Sequence, residues 1–228
     1  DLGNYNDFYI PRMKWTNDPT ILSVQVLNRH QDNLDLLFVD GTTGIAKVIL
    51  NEKDKAYISI KNNLTFLKEN SFIWTSEKDG FNHIYLYDNT GKLINQVTKG
   101  NWEVTDYYGF DEKTQNVYYQ SVENGSINRD VYRININGKN KVRLSQKTGT
   151  CSATFSPNFQ FYINSFSSAS QPPIFTLNES KSGKQIQEIV NNDALSEKLK
   201  VYNLPNKEFF VLKTEKGNNL NAWIIKPK

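Results

Sequence analysis

Apolar and polar residues alternate in short runs along the chain, and turn residues separate the runs. Between Phe72 and Thr98 the runs FIWT, HIYLY and LINQVT are joined by loops that contain Asp-Gly and Asp-Asn-Thr-Gly. A period of two places successive side chains on opposite faces of a β-sheet, and these loop residues favour hairpin turns. The pattern therefore predicts an antiparallel meander over this stretch.

The same meander recurs with a period near 45 residues. Three kinds of marker give this period: a serine in the second strand, an aromatic residue that ends the first strand, and a glycine in the turn after the third strand. These markers are Ser76, Ser121 and Ser165; Phe66, Phe110 and Phe155; and Gly44, Gly91, Gly138 and Gly183. Four short strands at this period are typical of a β-propeller blade. We therefore predict an all-β chain with four four-stranded antiparallel blades.

The predicted blades cover about 9–52, 58–100, 103–146 and 150–190. The first predicted strand along the chain is Arg12–Thr16, and the last strand of the fourth blade is Gln185–Ile189. After residue 190 the pattern changes. Asn192-Asp193 before Ala194–Lys200 predicts a brief capped helix. Two further runs, Phe209–Thr214 and Leu220–Ile225, predict a β-hairpin. We accordingly divide the chain into a partial propeller, 1–208, and a hairpin region, 209–228.

Composition favours a folded chain and gives no sign of a nucleic-acid partner. The 228 residues are 38% hydrophobic and 13% aromatic, which favours a substantial core over disorder. A net charge of +3 gives no signature of nucleic-acid binding. The only cysteine is Cys151, so no internal disulfide can form. No apolar run approaches the length of a membrane-spanning helix, and we interpret the chain, which begins at Asp1, as a section of a larger protein.

Few residues suit catalysis or metal binding. A serine hydrolase needs a nucleophile, usually in a G-x-S-x-G turn, and a histidine base. That turn does not occur in the sequence, Ser126 lies in a predicted strand connection, and the only histidines are His30 and His83. The loop from Asp88 to Gly91 lacks the alternating carboxylates of a calcium site. We therefore expect no catalytic residue, no metal and no cofactor.

Three further patterns have both a functional and a structural interpretation. The aromatic residues could stack on sugars or bases, but large residues more often fill the space between blades. This set comprises Trp15, Trp74, Trp102, Tyr107, Tyr108, Tyr118 and Tyr119. The basic run Lys139, Lys141 and Arg143 could meet a phosphate, although lysine on an edge strand more often prevents edge pairing. Glycosylation sequons begin at Asn63, Asn124 and Asn178.

Several long motifs carry a resemblance to a known family. The segments SFIWTSEKDGFNHIYLYD and TKGNWEVTDYYGFD resemble the propeller of the dipeptidyl peptidase IV family, and YIPRMKWT and VLNRHQ resemble its preceding blade. NAWIIKPK, at Asn221–Lys228, resembles the entry into that family's hydrolase domain. The motifs occur in order over essentially the whole chain. The abundance of Asn and Lys is similar to that of Bacteroidetes proteins.

The resemblance implies half of an eight-bladed propeller that caps an α/β-hydrolase domain. Such an enzyme is a serine peptidase that removes X-Pro or X-Ala dipeptides from peptide N-termini, and a tripeptidyl specificity stays open. Its catalytic triad is expected beyond Lys228, and its amine-binding glutamate pair ahead of Asp1. The family's substrate-facing aromatic residue lies nearest to Tyr57, which is the one substrate-binding residue expected here.

The resemblance also implies partners and a location. We expect the peptide substrate and the hydrolase domain of the same parent chain as partners, and a periplasmic, secreted or cell-surface location. Half a propeller leaves two apolar flanks, so we expect a dimer. The chain alone is expected to be inactive. The alternative is a free-standing propeller that binds a peptide, a glycan or a protein.

Overall fold

The computed structural model describes residues 5–202 and 204–226, which form four four-stranded antiparallel sheets, a helix and a hairpin. Sheet 1 contains β1 (Phe8–Trp15), β2 (Ile21–Asn28), β3 (Asn33–Asp40) and β4 (Ala46–Lys53). Sheet 2 contains β5 (Thr65–Phe66), β6 (Phe72–Ser76), β7 (His83–Tyr87) and β8 (Leu93–Gln96). Sheet 3 contains β9 (Val104–Asp111), β10 (Asn116–Ser121), β11 (Asp130–Asn135) and β12 (Val142–Arg143). Sheet 4 contains β13 (Thr150–Phe155), β14 (Phe161–Ser168), β15 (Gln171–Glu179) and β16 (Gln185–Val190).

Within each sheet the strands neighbour one another in chain order, so each sheet is the predicted meander. The described residues group into two compact units. The first unit comprises 5–117 and 134–140, and it contains sheets 1 and 2. The second comprises 118–133, 141–202 and 204–226, and it contains sheet 4, the helix and the hairpin. The predicted limits of the chain's regions at 1 and 228 lie outside the described residues.

The first strand is longer than its pattern predicts. It begins at Phe8 instead of Arg12, because Pro11 does not end it. The pairing of β1 with β2 shifts register between Tyr9 and Arg12, which is the irregularity expected around a proline. Proline has no N–H to donate, and a strand at a sheet edge tolerates this loss. The proline therefore sits inside an edge strand, where sequence reasoning expected a boundary.

Sheets 1 and 2 pack together through one apolar cluster in the first unit. Sheet 1 contributes Leu27, Leu34, Leu36, Phe38 and Ile49, and sheet 2 contributes Phe72, Trp74, Tyr85 and Tyr87. The rings of Phe38 and Phe72 meet edge to face at 6.1 Å between centroids. The structural interpretation of the aromatic residues is therefore confirmed for Trp74, which is fully buried. It is wrong for Trp15, which is 56% exposed because it lies on the edge strand β1.

In the second unit, the part of sheet 3 that belongs to this unit packs against sheet 4 in a similar way. Tyr118 of β10 is buried and lies 4.6 Å from Phe155 and 5.0 Å from Phe159, measured between ring centroids. Polar contacts join the same two sheets, since the hydroxyl of Tyr162 donates to the Leu144 carbonyl oxygen at 3.3 Å. Aromatic stacking and backbone-directed hydrogen bonds therefore combine to hold these sheets together.

The four marker glycines show what the period means physically. All four have positive φ, between 71° and 85°, a conformation that disfavours other residues. A Cβ added to Gly91 would lie 1.7 Å from the Ile49 carbonyl oxygen, and one on Gly183 would lie 2.4 Å from that of Leu144. These two turns pack against the end of the preceding sheet. No described atom lies within 4 Å of a Cβ placed on Gly44, in sheet 1.

Helix α1 (Asp193–Val201) follows sheet 4, and the hairpin consists of β17 (Lys207–Lys213) and β18 (Asn219–Ile225). The helix is in its predicted place, but the predicted side-chain cap is wrong. Asn192 has left-handed backbone angles, and its side chain donates to the Pro173 carbonyl oxygen at 2.7 Å instead of capping the helix. In the described part of the chain, no helix has the length and apolar character needed to cross a membrane.

Candidate functional site

A polar pocket of about 680 Å³ lies within the first unit. The first strands of three successive sheets reach it: β1 through Lys14, β5 through Thr65, and β9 from its start to Gly109. The segment that precedes β5, residues 59–64, forms another wall. Its remaining lining comes from Thr75, Glu77, Asn82 and Glu103. Five of the lining side chains carry ionisable charge, so the cavity offers charged groups of both signs.

Lys61 is the buried charge of this pocket. The residue is 6% exposed, and its nearest described carboxylate oxygen, Oε1 of Glu77, lies 3.9 Å from its Nζ. A hydrogen bond holds the backbone at Lys61, because Nε2 of the buried Gln25 donates to the Lys61 carbonyl oxygen at 2.8 Å. A core residue of sheet 1 therefore sets the position of a lysine in the pocket wall.

Contacts with β1 hold the rest of this wall. Nζ of Lys14 donates to the Leu64 carbonyl oxygen at 2.7 Å, and the guanidinium of Arg12 donates to the side-chain oxygen of Asn62. The segment 61–64 has almost no strand structure of its own. Side chains of the neighbouring sheet supply the hydrogen bonds that it would otherwise lack.

The wall from β9 combines neutral and acidic groups. Nδ2 of Asn82 donates to the Val104 carbonyl oxygen at 2.7 Å, while Oδ1 of Asn82 is buried with no hydrogen-bond partner. The hydroxyl of Tyr107 donates to Oγ1 of Thr65 at 3.2 Å, and burial raises the pKa of this phenol. Desolvation by the surrounding chain also raises the pKa of Asp106 above its ordinary value.

Tyr57 lies outside the lining of this pocket. It is 53% exposed, in the connection between β4 and β5. The next residue is anchored, since the backbone N–H of Ile58 donates to the Gln31 carbonyl oxygen at 2.8 Å. The Tyr57 side chain is accessible to a ligand, and the contact of Tyr57 with substrate stays a prediction.

The two histidines have different surroundings within the first unit. His30 is exposed in the turn between β2 and β3. His83 is fully buried; its Nδ1 lies 3.1 Å from Oγ1 of Thr98 and its Nε2 lies 3.0 Å from the Gly100 carbonyl oxygen. A carbonyl oxygen only accepts, so Nε2 carries the proton. Both ring nitrogens of His83 are thus used in holding sheet 2.

The turn after β7 closes on itself. Oδ1 of Asp88 accepts from the backbone N–H groups of Thr90 and Lys92, at 2.8 and 3.0 Å. The hydroxyl of Thr90 also donates to this carboxylate, and that hydrogen bond is the main cause that lowers its pKa. Among the described residues, no three His, Cys, Asp or Glu side chains cluster as metal ligands. Turn chemistry accounts for these residues.

Two members of the basic run, which leads into β12 of sheet 3, have structural partners. The guanidinium of Arg143 donates to Oδ1 of Asp130 at 2.8 Å, and the Asp130 side chain is only 1% exposed. Lys141 pairs with Glu123. Of the three sequon asparagines, only Asn124 is exposed, whereas Asn178 is 6% exposed. The sequence signal for Arg143 was its place in a basic run, which did not reveal the buried aspartate it neutralises.

Sequence reasoning missed the pocket altogether. Lys61 stands in the polar run IKNNL, which by composition predicts an exposed loop. The only signal that could have found it is the absence of alternation just before β5, where the four-strand pattern of the blade predicts a strand that ends at Phe66. The contribution of Gln25 was hidden for a similar reason, since a polar residue in a largely apolar strand predicts a solvent-facing position.

The defining sequence pattern of the dipeptidyl peptidase IV (DPP IV) N-terminal region matches residues 1–173. The chain belongs to this family. Among curated proteins, it is 31% identical over 228 residues to dipeptidyl peptidase 4 of Arthroderma otae and 30% identical over 228 residues to that of Trichophyton rubrum. Each alignment covers 95% of this chain and 29% of the relative.

A solved structure of the same family confirms the fold. The crystal structure of Porphyromonas gingivalis dipeptidyl peptidase 4 superposes with a TM-score of 0.91 at 40% identity, over 100% of this chain and 32% of that one. The predicted four blades of a dipeptidyl peptidase IV propeller, with a C-terminal hairpin, are therefore confirmed. The bacterial source of that crystal structure also agrees with the Bacteroidetes character predicted from composition. The chain spans about 30% of the length of the curated relatives it matches.

Proposed function

We propose that this chain is a non-catalytic propeller section of a serine dipeptidyl peptidase that removes X-Pro or X-Ala dipeptides from peptide N-termini. The observation that carries the proposal is the match to Porphyromonas gingivalis dipeptidyl peptidase 4 over the whole chain, at 40% identity. The position of His83 supports it, because both of its ring nitrogens hold structural groups. The reactive groups of the enzyme would then lie in other parts of a longer protein.

In this proposal the propeller section gates access to the reactive site and docks the hydrolase domain. The hairpin region, 209–228, would form the junction with that domain, and 1–208 would form the propeller section. Large apolar side chains on the hairpin support this division, since Phe209 is 52% and Trp223 is 57% exposed among the described residues. Apolar groups of this size suit a surface that another domain covers.

Comparing the 228-residue chain with the product of its complete reading frame tests the proposal. Each protein is incubated with glycyl-prolyl p-nitroanilide, and an N-acetylated form of the same compound serves as the matched control. We expect the complete protein to release p-nitroaniline only from the free amine, and the 228-residue chain to release none. Turnover by the purified 228-residue chain would overturn the proposal. A tripeptidyl anilide decides between dipeptidyl and tripeptidyl specificity.

For Tyr57 we propose a contact with the bound peptide. Its 53% exposure leaves the ring available for such a contact. In the complete protein, Tyr57→Ala is expected to raise KM roughly tenfold with kcat nearly unchanged, because the ring would contribute to binding in both the ground and transition states. Tyr202→Ala, which changes a 73% exposed tyrosine at the end of α1, is the control. An unchanged KM in the Tyr57 variant would exclude the contact.

We further propose that the chain dimerises through its exposed apolar strands. Strand β16 is exposed throughout and presents Ile186 and Ile189, and β1 presents Met13 and Trp15. Sedimentation equilibrium is expected to give twice the mass of the chain, and a monomer at high concentration would contradict this. The proposed location is the periplasm, the cell surface or the medium, which fractionation of the source cells tests directly.

A free-standing propeller that binds a peptide, a glycan or a protein is the second candidate function. The observation in its favour is the polar pocket, which the first unit forms from its own residues. A stop codon soon after Lys228 in the gene would favour this candidate. A G-x-S-x-G sequence downstream would favour the peptidase.

A further inference from the structure

The polar pocket of the first unit contains a buried ammonium group with room beside it. We propose that this pocket binds the free C-terminal carboxylate of a short peptide, and that Lys61 anchors the carboxylate. The inference rests on groups within the first unit and does not depend on the proposed peptidase activity. No hydrolysis is needed for the binding that it describes.

The first argument is the incomplete pairing of Lys61. Its side chain is 7% exposed, whereas that of Glu77, 3.9 Å away, is 57% exposed. A charge removed from water needs a close partner of opposite sign, and a charge-assisted hydrogen bond is about 2.8 Å long. The contact with Glu77 is therefore too long to satisfy the ammonium fully. A carboxylate that enters the pocket can approach Lys61 more closely.

The second argument is the balance of charge in the lining. The lining contains two lysines and three carboxylates: Lys14, Lys61, Glu77, Glu103 and Asp106. Lys14 is already engaged, because its Nζ donates to the Leu64 carbonyl oxygen. A dianion such as phosphate would be repelled by the three carboxylates. A short peptide carries one carboxylate and one ammonium group, so it matches both signs of charge in the pocket.

The third argument is an acceptor that lacks a donor. Oδ1 of Asn82 is buried with no partner, although Nδ2 of the same side chain donates to the Val104 carbonyl oxygen. A buried acceptor without a hydrogen bond is costly, and the N–H of a bound peptide is a donor of the kind that this oxygen lacks. The pocket volume of about 680 Å³ lies within the range typical of sites for small ligands.

Calorimetric titration of the 228-residue chain with three ligands tests the proposal. The ligands are trialanine, trialanine C-terminal amide and inorganic phosphate. We expect trialanine to bind at least about tenfold more tightly than its amide, because only the acid offers a carboxylate to Lys61. Equal affinities, tighter binding of phosphate, or no binding of trialanine up to its solubility limit would each overturn the proposal.

Variants then test the anchor itself. Lys61→Met is expected to abolish the preference for the acid over the amide, and Lys61→Arg is expected to keep it. Lys47→Met is the matched control, because Lys47 is exposed on β4 and does not line the pocket. If Lys61→Met fails to fold, the comparison of acid with amide on the unaltered chain still decides the proposal. A preserved preference in a folded Lys61→Met variant would exclude Lys61 as the anchor.

Discussion

Strands β6 and β17 both contain aromatic and β-branched residues, but their surroundings are opposite. FIWTS in β6 is buried at every position, whereas KEFFVLK in β17 is exposed at every position. Both strands belong to antiparallel pairs with regular register. The difference is that β6 lies between β5 and β7 and beneath side chains of sheet 1, while β17 pairs with β18 alone among the described residues. Composition selects the strand, and the neighbouring sheet determines its burial.

The largest contrast is expected between two tryptophans. Trp74 is fully buried and its Nε1 donates to Glu52 at 2.9 Å, whereas Trp223 of β18 is 57% exposed. Trp74→Ala should lower the free energy of unfolding by about 3–5 kcal/mol, because it leaves a cavity between two sheets. Trp223→Ala should cost less than about 1 kcal/mol. Urea denaturation of both variants measures the difference, and equal losses would contradict the contrast.

The marker glycines provide the next contrast. Gly91→Ala introduces both positive-φ strain and a clash with the Ile49 carbonyl oxygen, and we expect a loss of about 3 kcal/mol. Gly44→Ala introduces the strain alone, and we expect a loss of about 1 kcal/mol. Thermal unfolding of the two variants gives both values. Similar losses would show that the turn of sheet 2 does not pack on sheet 1.

A smaller effect is expected for two ion pairs. Arg143→Met leaves the buried carboxylate of Asp130 without its cation, and the partial exposure of Arg143 reduces the expected loss to about 2 kcal/mol. Lys226→Met removes the partner of Glu208 in the hairpin, where both side chains are more than half exposed. That loss should be below about 0.5 kcal/mol. Urea denaturation at low and high salt measures both losses. A larger loss of unfolding free energy in Lys226→Met than in Arg143→Met would contradict this expectation.

The mildest test uses the thiol of Cys151. Burial raises the pKa of this thiol to about 11, and the residue is 1% exposed. In the folded chain at pH 8 it should therefore react with a disulfide reagent far more slowly than an exposed cysteine introduced by Val211→Cys in β17. Because the folded pKa is raised, this group favours folding below about pH 9 and loses that contribution as the pH rises towards 11. Rapid labelling of folded Cys151 would contradict its burial.

Local patterns predicted the strands and turns because these depend on neighbouring residues. The meander of sheet 2, the marker glycines and the hairpin all follow from periodicity and turn chemistry. The environment of Lys61 could not be predicted in this way, since Gln25 and Glu77, which surround it, are distant from it in sequence. The prediction that Trp15 is buried between blades was wrong for the same reason, because a pattern of residues does not show whether another sheet covers the strand.

The difference in burial between sheet 2 and the hairpin is the central structural claim, and hydrogen–deuterium exchange measures it directly. Backbone amides of β6 and β7 should exchange slowly, at rates set by opening of the first unit, because their strands are paired on both sides and covered. Amides of β17 and β18 should exchange much faster, within the same sample and the same time course. Equal protection of the two regions, or faster exchange in sheet 2, would contradict the account.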